Sequence, residues 1–275
     1  MSQEQGSFYE LVDATAGHSI VTSTGHTAGP WSPDAQHGGP PMALMAREAQ
    51  RLDAGSRVVA RVTCDLLGPV PVSRLQVNAR VVRPGRSVEL VECELTDARS
   101  SRLVARAAVW LVPGESSGPT AGLPDPPAGP AQGAVRTIPA GWHPGYLDAI
   151  EWSWIDGSLE EPGPATVWMR PRVSLVPDEP LTPLQRLLVC VDSASGVSAT
   201  LDIRTWQFMN TELTAHVVRE PQGEWICLRA LTTLGGGAAG LAQAEVFDEH
   251  GFVARTAQAL LVRPRPVRSD SQATR

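Results

Sequence analysis

The feature that most constrains the fold of this chain is an internal duplication. One apolar segment with helical spacing is followed by several β-rich segments, and this order occurs twice within the 275 residues. Apolar residues recur every three or four positions in segments 36–52 and 180–196, which predicts two buried helices. The β-rich segments follow at 58–112 and at 198–264. The order predicts an α+β chain of two similar units, each with one helix and an antiparallel sheet.

Short similar sequences set the register between the two copies. Residues 63–66 (TCDL) align with 210–213 (NTEL), and residues 103–106 (LVAR) align with 252–255 (FVAR). These matches predict an offset of 147 to 149 residues between the copies (210 − 63 and 252 − 103). Because each unit alone would leave an apolar sheet face uncovered, we expect the two units to pack together.

A segment rich in Pro, Gly, Ser and Ala separates the copies. It predicts a linker at 113–136, between an N-terminal unit of residues 1–112 and a C-terminal unit of residues 137–266. The polar and charged composition of residues 267–275 predicts a disordered tail.

The composition excludes several classes of function. All 23 basic residues are arginine, so neither a lysine Schiff base nor a Walker phosphate-binding loop can form. The net charge of −6 argues against a nucleic-acid partner, because phosphate neutralisation supplies most of that affinity. Neither an apolar run long enough to cross a bilayer nor a signal-peptide pattern is present, so we expect a cytoplasmic protein without a membrane partner.

The cysteines and histidines do not have the spacing of metal ligands. Four cysteines lie far apart, and the six histidines form neither an HxxxH nor an HExxH pattern. We therefore expect free core thiols, no metal site and no cofactor; the cysteines are Cys64, Cys93, Cys190 and Cys227.

Six short motifs occur in an order that is specific for one family, although each is weak alone. They are 37–41 (HGGPP), 168–172 (WMRPR), 182–188 (TPLQRLL) followed by 192–196 (DSASG), 210–214 (NTELT), 223–228 (GEWICL) and 255–264 (RTAQALLVRP). With these motifs the chain resembles the double-hotdog acyl-CoA thioesterase-like superfamily, of the acyl-CoA thioesterase II type. The resemblance implies two tandem hotdog units, each a long buried helix wrapped by an antiparallel β-sheet.

The resemblance also implies a reaction and three residues for it. In the family, an acidic side chain on the second helix activates water to attack an acyl-CoA thioester, assisted by a small polar residue and a glutamine on the strands. By motif, these positions fall on Asp192, Asn210 and Gln258. Family members often have threonine or serine where this chain has Asn210, whose carboxamide can orient water but cannot relay a proton as a hydroxyl can.

The residues themselves support these assignments but leave alternatives open. Asp192 follows an apolar helix face, where an ionised carboxylate is costly unless it is paired or functional; the alternative is a cap-like residue bonded to Ser193 or Ser195.

Gln258 interrupts an apolar strand at a position that corresponds to Val109 in the first copy. This asymmetry indicates one site per chain, unless Gln258 faces outward.

Further residues are candidates for substrate binding. The backbone N–H groups of Gly38 and Gly39 could stabilise an oxyanion at a helix N-terminus, or the glycines could simply form a tight turn. His37 could donate to the same oxygen. Arg83 and Arg86 could bind the phosphates of coenzyme A, although arginines are common in surface turns.

Three functions are compatible with the sequence. The first is hydrolysis of a fatty or related acyl-CoA, and the second is acyl-CoA binding without turnover by a drifted site, which the asparagine at position 210 motivates. The third, hydration of an unsaturated acyl-CoA, would use Asp34 and His37 and is the weakest of the three. A homodimer is a further expectation, because hotdog sheets often pair at their edges.

Overall fold

The N-terminal copy of the repeat folds into one long helix and eight strands in this computed structural model, which describes residues 6–53, 57–114 and 118–265. The predicted tail at 267–275 lies outside the described residues. The elements are β1 (Tyr9–Thr15), β2 (His18–Ser23), β3 (Ala28–Gly29), β4 (Ser32–Gln36), α1 (Gly39–Leu52), β5 (Arg57–Leu66), β6 (Arg74–Arg83), β7 (Glu89–Asp97) and β8 (Leu103–Pro113).

The C-terminal copy repeats this order with a shorter, divided helix. Its elements are α2 (Gly145–Asp148), β9 (Ile150–Asp156), β10 (Ala165–Pro171), α3 (Pro183–Val191), α4 (Ala194–Val197), β11 (Trp206–Asn210), β12 (Glu212–Val217), β13 (Ile226–Leu234), β14 (Ala239–Asp248) and β15 (Gly251–Pro264). The predicted helix over 180–196 is therefore interrupted between Val191 and Ala194, and the first β-rich segment after it forms a strand only from Trp206 onward. The predicted α+β class, with a helix and an antiparallel sheet in each copy, is confirmed.

The two copies share one antiparallel sheet. Its strand order is β1-β2-β6-β7-β8-β5-β12-β15-β14-β13-β10-β9, and β11 pairs with β15 beside this path. Strands β5 and β12 pair at the junction, with Thr63 opposite Thr214 and a hydrogen bond of 3.1 Å between their hydroxyl groups. Most of the buried apolar residues of both copies form a single core cluster.

The strand pairing corrects the predicted register of the repeat. In the first copy, Thr63 on β5 pairs with Ala108 on β8. In the second copy, the counterpart of Ala108 is Ala257 on β15, and Ala257 pairs with Thr214 on β12. Thr63 therefore corresponds to Thr214, an offset of 151 residues (214 − 63) and not the 147 that the matching tetrapeptides predicted. In the second copy, the residues that correspond to β5 form two strands, β11 and β12. With this offset, Asn210 corresponds to Val59.

The segment predicted as a linker lies against the C-terminal copy. The Trp168 indole donates a hydrogen bond to the Ala128 carbonyl at 2.7 Å, and Ala134 forms a β-bridge with Trp154. Ser153 Oγ donates to the Pro130 carbonyl at 2.7 Å. The described part of this segment thus covers β9 and β10 and does not simply span the distance between two units.

Helices α1 and α3 contact each other and fix the position of the site between them. Helix α1 begins with Gly39, Pro40 and Pro41, where proline satisfies the geometry of the first helical turn. Helix α3 begins with a capping box, in which the Thr182 hydroxyl accepts from the Gln185 N–H and the Gln185 side chain accepts from the Thr182 N–H.

Within residues 6–53, 57–114 and 118–265, no helix has both the length and the apolarity needed to cross a bilayer.

Candidate functional site

Asp192 lies where α3 ends and faces the N-terminus of α1. It is the residue after Val191, the last residue of α3, and only 8% of it is exposed. The Gly38 N–H donates a hydrogen bond of 2.8 Å to its Oδ2 atom. The packing of the two helices therefore brings a residue of the C-terminal copy against the backbone of the N-terminal copy.

Two amide side chains hold the other carboxylate oxygen. Asn210 Nδ2, at the end of β11, donates to Asp192 Oδ1 at 2.5 Å, and Gln258 Nε2, on β15, donates to the same atom at 3.1 Å. The structure thus brings together the three residues predicted as the catalytic group. It does so because α3 ends directly above the face of the sheet that carries Asn210 and Gln258.

Gln258 is fully buried and faces inward, toward the helices. Its Oε1 atom accepts a hydrogen bond from the Ser195 N–H at 3.1 Å, and its Nε2 atom also lies 3.2 Å from the Asp192 carbonyl oxygen. Both ends of the amide therefore hold the chain where it passes from the end of α3 into α4. The outward orientation considered for Gln258 from strand alternation is not observed.

His37 completes the surroundings of the carboxylate. Its Nδ1 atom lies 3.2 Å from Asp192 Oδ2 and 3.3 Å from the Gly39 backbone nitrogen. These contacts compete: Nδ1 donates to Asp192 when it carries a hydrogen, and it accepts from the Gly39 N–H when it does not. Burial lowers the pKa of His37 from its ordinary value of 6.5, and this effect exceeds the opposing influence of the Asp192 charge. His37 is therefore neutral at pH 7.

Tyr146 is a member of the site that the sequence did not identify. Its ring stacks on the His37 ring with a centroid distance of 3.6 Å and an interplanar angle of 3°. Its hydroxyl donates to the Val189 carbonyl oxygen at 2.8 Å and lies 3.0 Å from Ser193 Oγ. Burial raises the pKa of Tyr146 well above its ordinary value, so the hydroxyl keeps its hydrogen. In the sequence, no spacing links this tyrosine to His37 because they come from different copies of the repeat.

Gly38 and Gly39 allow the two helices to approach each other closely. A Cβ atom on Gly38 would lie 2.9 Å from both oxygens of Asp192, and one on Gly39 would lie 2.1 Å from the Val189 carbonyl oxygen. The Gly38 N–H is occupied by Asp192 in this structure, and the Gly39 N–H makes the longer contact with His37. Of the two groups predicted to stabilise an oxyanion, Gly39 thus has the weaker existing partner.

The predicted phosphate-binding arginines lie where β6 ends, Arg83 as its last residue and Arg86 in the turn that leads to β7. Arg83 donates to the Val88 carbonyl oxygen at 2.9 Å and lies over the Trp110 ring, and Arg86 is exposed. The contacts of Arg83 are with these neighbours and not with Asp192, Asn210 or Gln258. The structure therefore joins His37, Gly38 and Gly39 to the Asp192 site but shows no such link for Arg83.

The first copy of the repeat has no equivalent polar pair. Gln258 corresponds to Val109 and Asn210 corresponds to Val59, and both valines are buried. The polar site is therefore confined to one end of the α1–α3 pair.

Among the described residues, no group of three or more His, Cys, Asp or Glu side chains is placed to hold a metal ion.

Comparison with known proteins gives the same family from both halves of the chain. Residues 27–112 match the family model described as the acyl-CoA thioesterase N-terminal domain. Residues 121–262, just over half of the chain, match the acyl-CoA thioesterase C-terminal domain. No curated protein sequence is significantly similar to the chain.

Solved structures share the fold at low sequence identity. A protein of Thermobifida fusca YX with a provisional thioesterase II name is 18% identical, with a TM-score of 0.74 over 92% of this chain and 95% of that one. A hot dog fold protein of unknown function from Alicyclobacillus acidocaldarius is 18% identical, with a TM-score of 0.70 over 94% and 96%. An acyl-CoA thioesterase II of Mycobacterium marinum is 14% identical, with a TM-score of 0.69 over 93% and 96%. The prediction of two tandem hotdog units is confirmed.

Proposed function

This chain belongs to the acyl-CoA thioesterase family, and from that membership we propose that it hydrolyses a fatty or related acyl-CoA to the free acid and CoA, with water activated by Asp192. One observation carries the proposal. A nearly buried carboxylate at the junction of the two copies is held by two amide side chains and lies beside a helix N-terminus. This arrangement places a fixed general base next to backbone N–H donors. The attack of a water molecule on a carbonyl carbon requires both kinds of group.

The proposed reaction begins with proton transfer to Asp192. The carboxylate takes one proton from a water molecule as the water oxygen forms a bond to the thioester carbonyl carbon. The carbonyl oxygen then carries the negative charge of a tetrahedral intermediate. When this intermediate collapses, the carbon–sulfur bond breaks, the CoA thiolate leaves, and the proton held by Asp192 returns to the products. No cofactor takes part in these steps.

The neighbours of Asp192 have separate roles in this proposal. Asn210 and Gln258 both hold Oδ1, so the plane of the carboxylate is fixed and Oδ2 is the oxygen that accepts the proton. The water replaces the 3.2 Å contact between His37 and Oδ2, which is the longest of the four contacts to the carboxylate. The Gly39 N–H, at the positive end of the α1 dipole, turns from His37 to the oxyanion.

Binding of acyl-CoA without turnover is a second candidate, and one observation favours it. A carboxylate can accept about four hydrogen bonds. Asn210, Gln258, Gly38 and His37 already supply four contacts to Asp192. If none of these partners yields its place, water cannot reach the carboxylate, and the protein would bind an acyl-CoA without cleaving it.

The test is thiol release from a panel of short, medium and long acyl-CoAs, without added metal, by three proteins. The wild type is compared with Asp192→Asn and with Asp202→Asn, a matched control on an exposed aspartate that pairs with Arg204. We expect the wild type and the control to release thiol at equal rates and Asp192→Asn to lose at least about 100-fold in kcat, as removal of a general base does. Binding of acyl-CoA with no thiol release by the wild type would instead support the binding protein.

A further inference from the structure

Tyr146 is a fully buried side chain that contacts the Asp192 site at two places. Its ring lies against the ring of His37, and its hydroxyl donates to the Val189 carbonyl oxygen in the last turn of α3. It comes from α2, which carries no other residue of the site. Neither the proton transfer to Asp192 nor the breakage of the thioester uses its hydroxyl. Any contribution of Tyr146 to the reaction therefore acts through the groups that it holds.

The hydroxyl of Tyr146 binds a carbonyl oxygen that the end of α3 leaves free. In a regular α-helix the Ser193 N–H would donate to the carbonyl oxygen of Val189, four residues earlier. Here the Ser193 N–H donates to the Cys190 carbonyl oxygen at 3.1 Å, and the Tyr146 hydroxyl donates to that of Val189 at 2.8 Å in its place. This bond thus fixes the tightened turn in which Asp192 lies.

The ring of Tyr146 covers one face of the His37 ring. The two rings are parallel within 3° and their centroids lie 3.6 Å apart, so they overlap almost completely and are in van der Waals contact. Water is therefore excluded from this face, and burial is what lowers the pKa of His37. A neutral His37 can give up its contacts with Asp192 and Gly39, whereas a protonated one would form an ion pair with Asp192.

The backbone beside each ring keeps the two rings together. Gly145 lets α2 approach β3, because a Cβ atom there would lie 2.4 Å from the Ala28 carbonyl oxygen. Thr27, the residue before Ala28, accepts a hydrogen bond of 2.8 Å from the His37 N–H. The segment that carries Tyr146 is thus packed against the segment that binds His37, so the stack is already formed without a substrate.

We propose that Tyr146 is a positioning residue of the Asp192 site, in which its ring shields His37 from water and its hydroxyl holds the turn that presents Asp192. The inference rests on the proposed function and adds to it a residue that acts through two others. Two ionisable side chains face His37, namely Asp192 from the end of α3 and Tyr146 from α2. Burial raises the pKa of Tyr146, so the charge that His37 meets is that of Asp192. Without the Tyr146 ring, water reaches His37, its pKa rises toward 6.5, and more of it is protonated and paired with Asp192 at a given pH.

Two substitutions separate the ring from the hydroxyl. Tyr146→Phe keeps the ring, whereas Tyr146→Ala removes both groups and leaves a space beside polar atoms that water can enter. Tyr9→Phe is the matched control, because Tyr9 is also fully buried and its hydroxyl donates to Gln36 Oε1 at 2.7 Å. Thiol release from the best acyl-CoA of the panel is measured across pH for each protein. The pKa of His37 is measured by NMR titration, with its signal assigned by its absence from His37→Phe.

The two substitutions have different expected effects. We expect Tyr146→Phe to lower kcat about tenfold and to change KM less than about twofold, because a loosened turn misplaces Asp192 after the substrate has bound. The pKa of His37 keeps its wild-type value in this variant. In Tyr146→Ala that pKa rises, and the acid limb of the kcat/KM profile moves to higher pH by the same amount. Tyr9→Phe leaves kcat and the pH profile unchanged.

Two of the measurements need no turnover and so keep the inference separate from the proposed reaction. They are the titration of His37 and the amide hydrogen exchange of Asp192 and Ser193, which we expect to be faster in Tyr146→Phe than in Tyr9→Phe. Equal exchange in these two variants would overturn the role of the hydroxyl. Absence of turnover by the wild type would contradict only the proposed function.

The titration also decides the role of the ring. An unchanged pKa of His37 in Tyr146→Ala would overturn that role. A lowered pKa would overturn it too, since the ring would then stabilise the imidazolium by a cation–π contact. If Tyr146→Ala does not fold, Tyr146→Phe still tests the inference, because a shifted His37 pKa or an unchanged kcat in that variant would contradict it.

Discussion

At the scale of single residues, the site depends on a histidine that remains neutral. Burial lowers the pKa of His37 in the folded protein below 6.5, the ordinary value that applies to the unfolded chain. At a pH between the folded and the unfolded pKa, the unfolded chain binds a proton at this residue more readily than the folded chain does. The stability due to His37 is therefore fully present above pH 6.5 and falls as the pH decreases.

We expect this to appear in the free energy of unfolding. As the pH falls from about 7.5 to about 5.5, the free energy of unfolding of the wild type decreases relative to that of His37→Phe. Below pH 6.5 this decrease is up to about 1.4 kcal/mol per pH unit, until the folded-state pKa is reached. Phenylalanine keeps a ring against Tyr146 but does not titrate. Urea denaturation of both proteins at the two pH values measures the difference. The same loss in both proteins would show that another group is responsible.

The three central side chains could be chosen as candidates from the motifs that resemble the family, and Asn210 from those motifs alone, but their surroundings could not be predicted. A polar residue in an apolar segment is visible in the sequence, and Asp192 and Gln258 are of this kind. The Gly38 N–H on Asp192 and the Tyr146 ring on His37 are contacts between the two copies. Such contacts depend on how the helices pack, which periodicity does not specify.

At the scale of elements, the distance between α1 and α3 is set by a glycine. A methyl group on Gly39 would lie 2.1 Å from the Val189 carbonyl oxygen, a backbone atom that cannot move without moving α3. We expect Gly39→Ala to lower the free energy of unfolding by at least about 2 kcal/mol, because the helices must separate. Gly235→Ala is the matched control, since a Cβ atom there meets nothing within 4 Å. Thermal unfolding of both variants measures this, and equal melting temperatures would contradict the close packing described.

Elements with strong periodicity were predicted well, whereas their ends and register were not. Strands β5 to β8 and β12 to β15 lie within or close to the segments predicted for them. The second predicted helix is divided, since α3 ends at Val191 and α4 begins at Ala194. The predicted register between the two copies was wrong by four residues. Because four is an even number, the inward and outward faces of the strands stayed the same, so the hydrophobic pattern could not reveal the error.

At the scale of the whole molecule, the two units are parts of one structure. Strands β5 and β12 join the sheets, and the core includes residues of both copies. Asp192 belongs to one copy, whereas Gly38 and His37 belong to the other. We therefore expect residues 1–113 and 118–275, expressed separately, to lack cooperative unfolding and thioesterase activity, and their co-expression to restore both. Full activity of the C-terminal half alone would contradict this account.

The central claim is that Asp192 acts on water and not directly on the thioester. A single turnover in water enriched in ¹⁸O, with enzyme in excess over acyl-CoA, tests it most directly. If Asp192 is a base, the released acid carries one ¹⁸O atom and the Asp192 carboxylate carries none. If Asp192 instead attacks the thioester itself, the intermediate is an anhydride. Water attack at the aspartyl carbon of that anhydride would leave ¹⁸O in Asp192 and an unlabelled acid, a result that would contradict the mechanism.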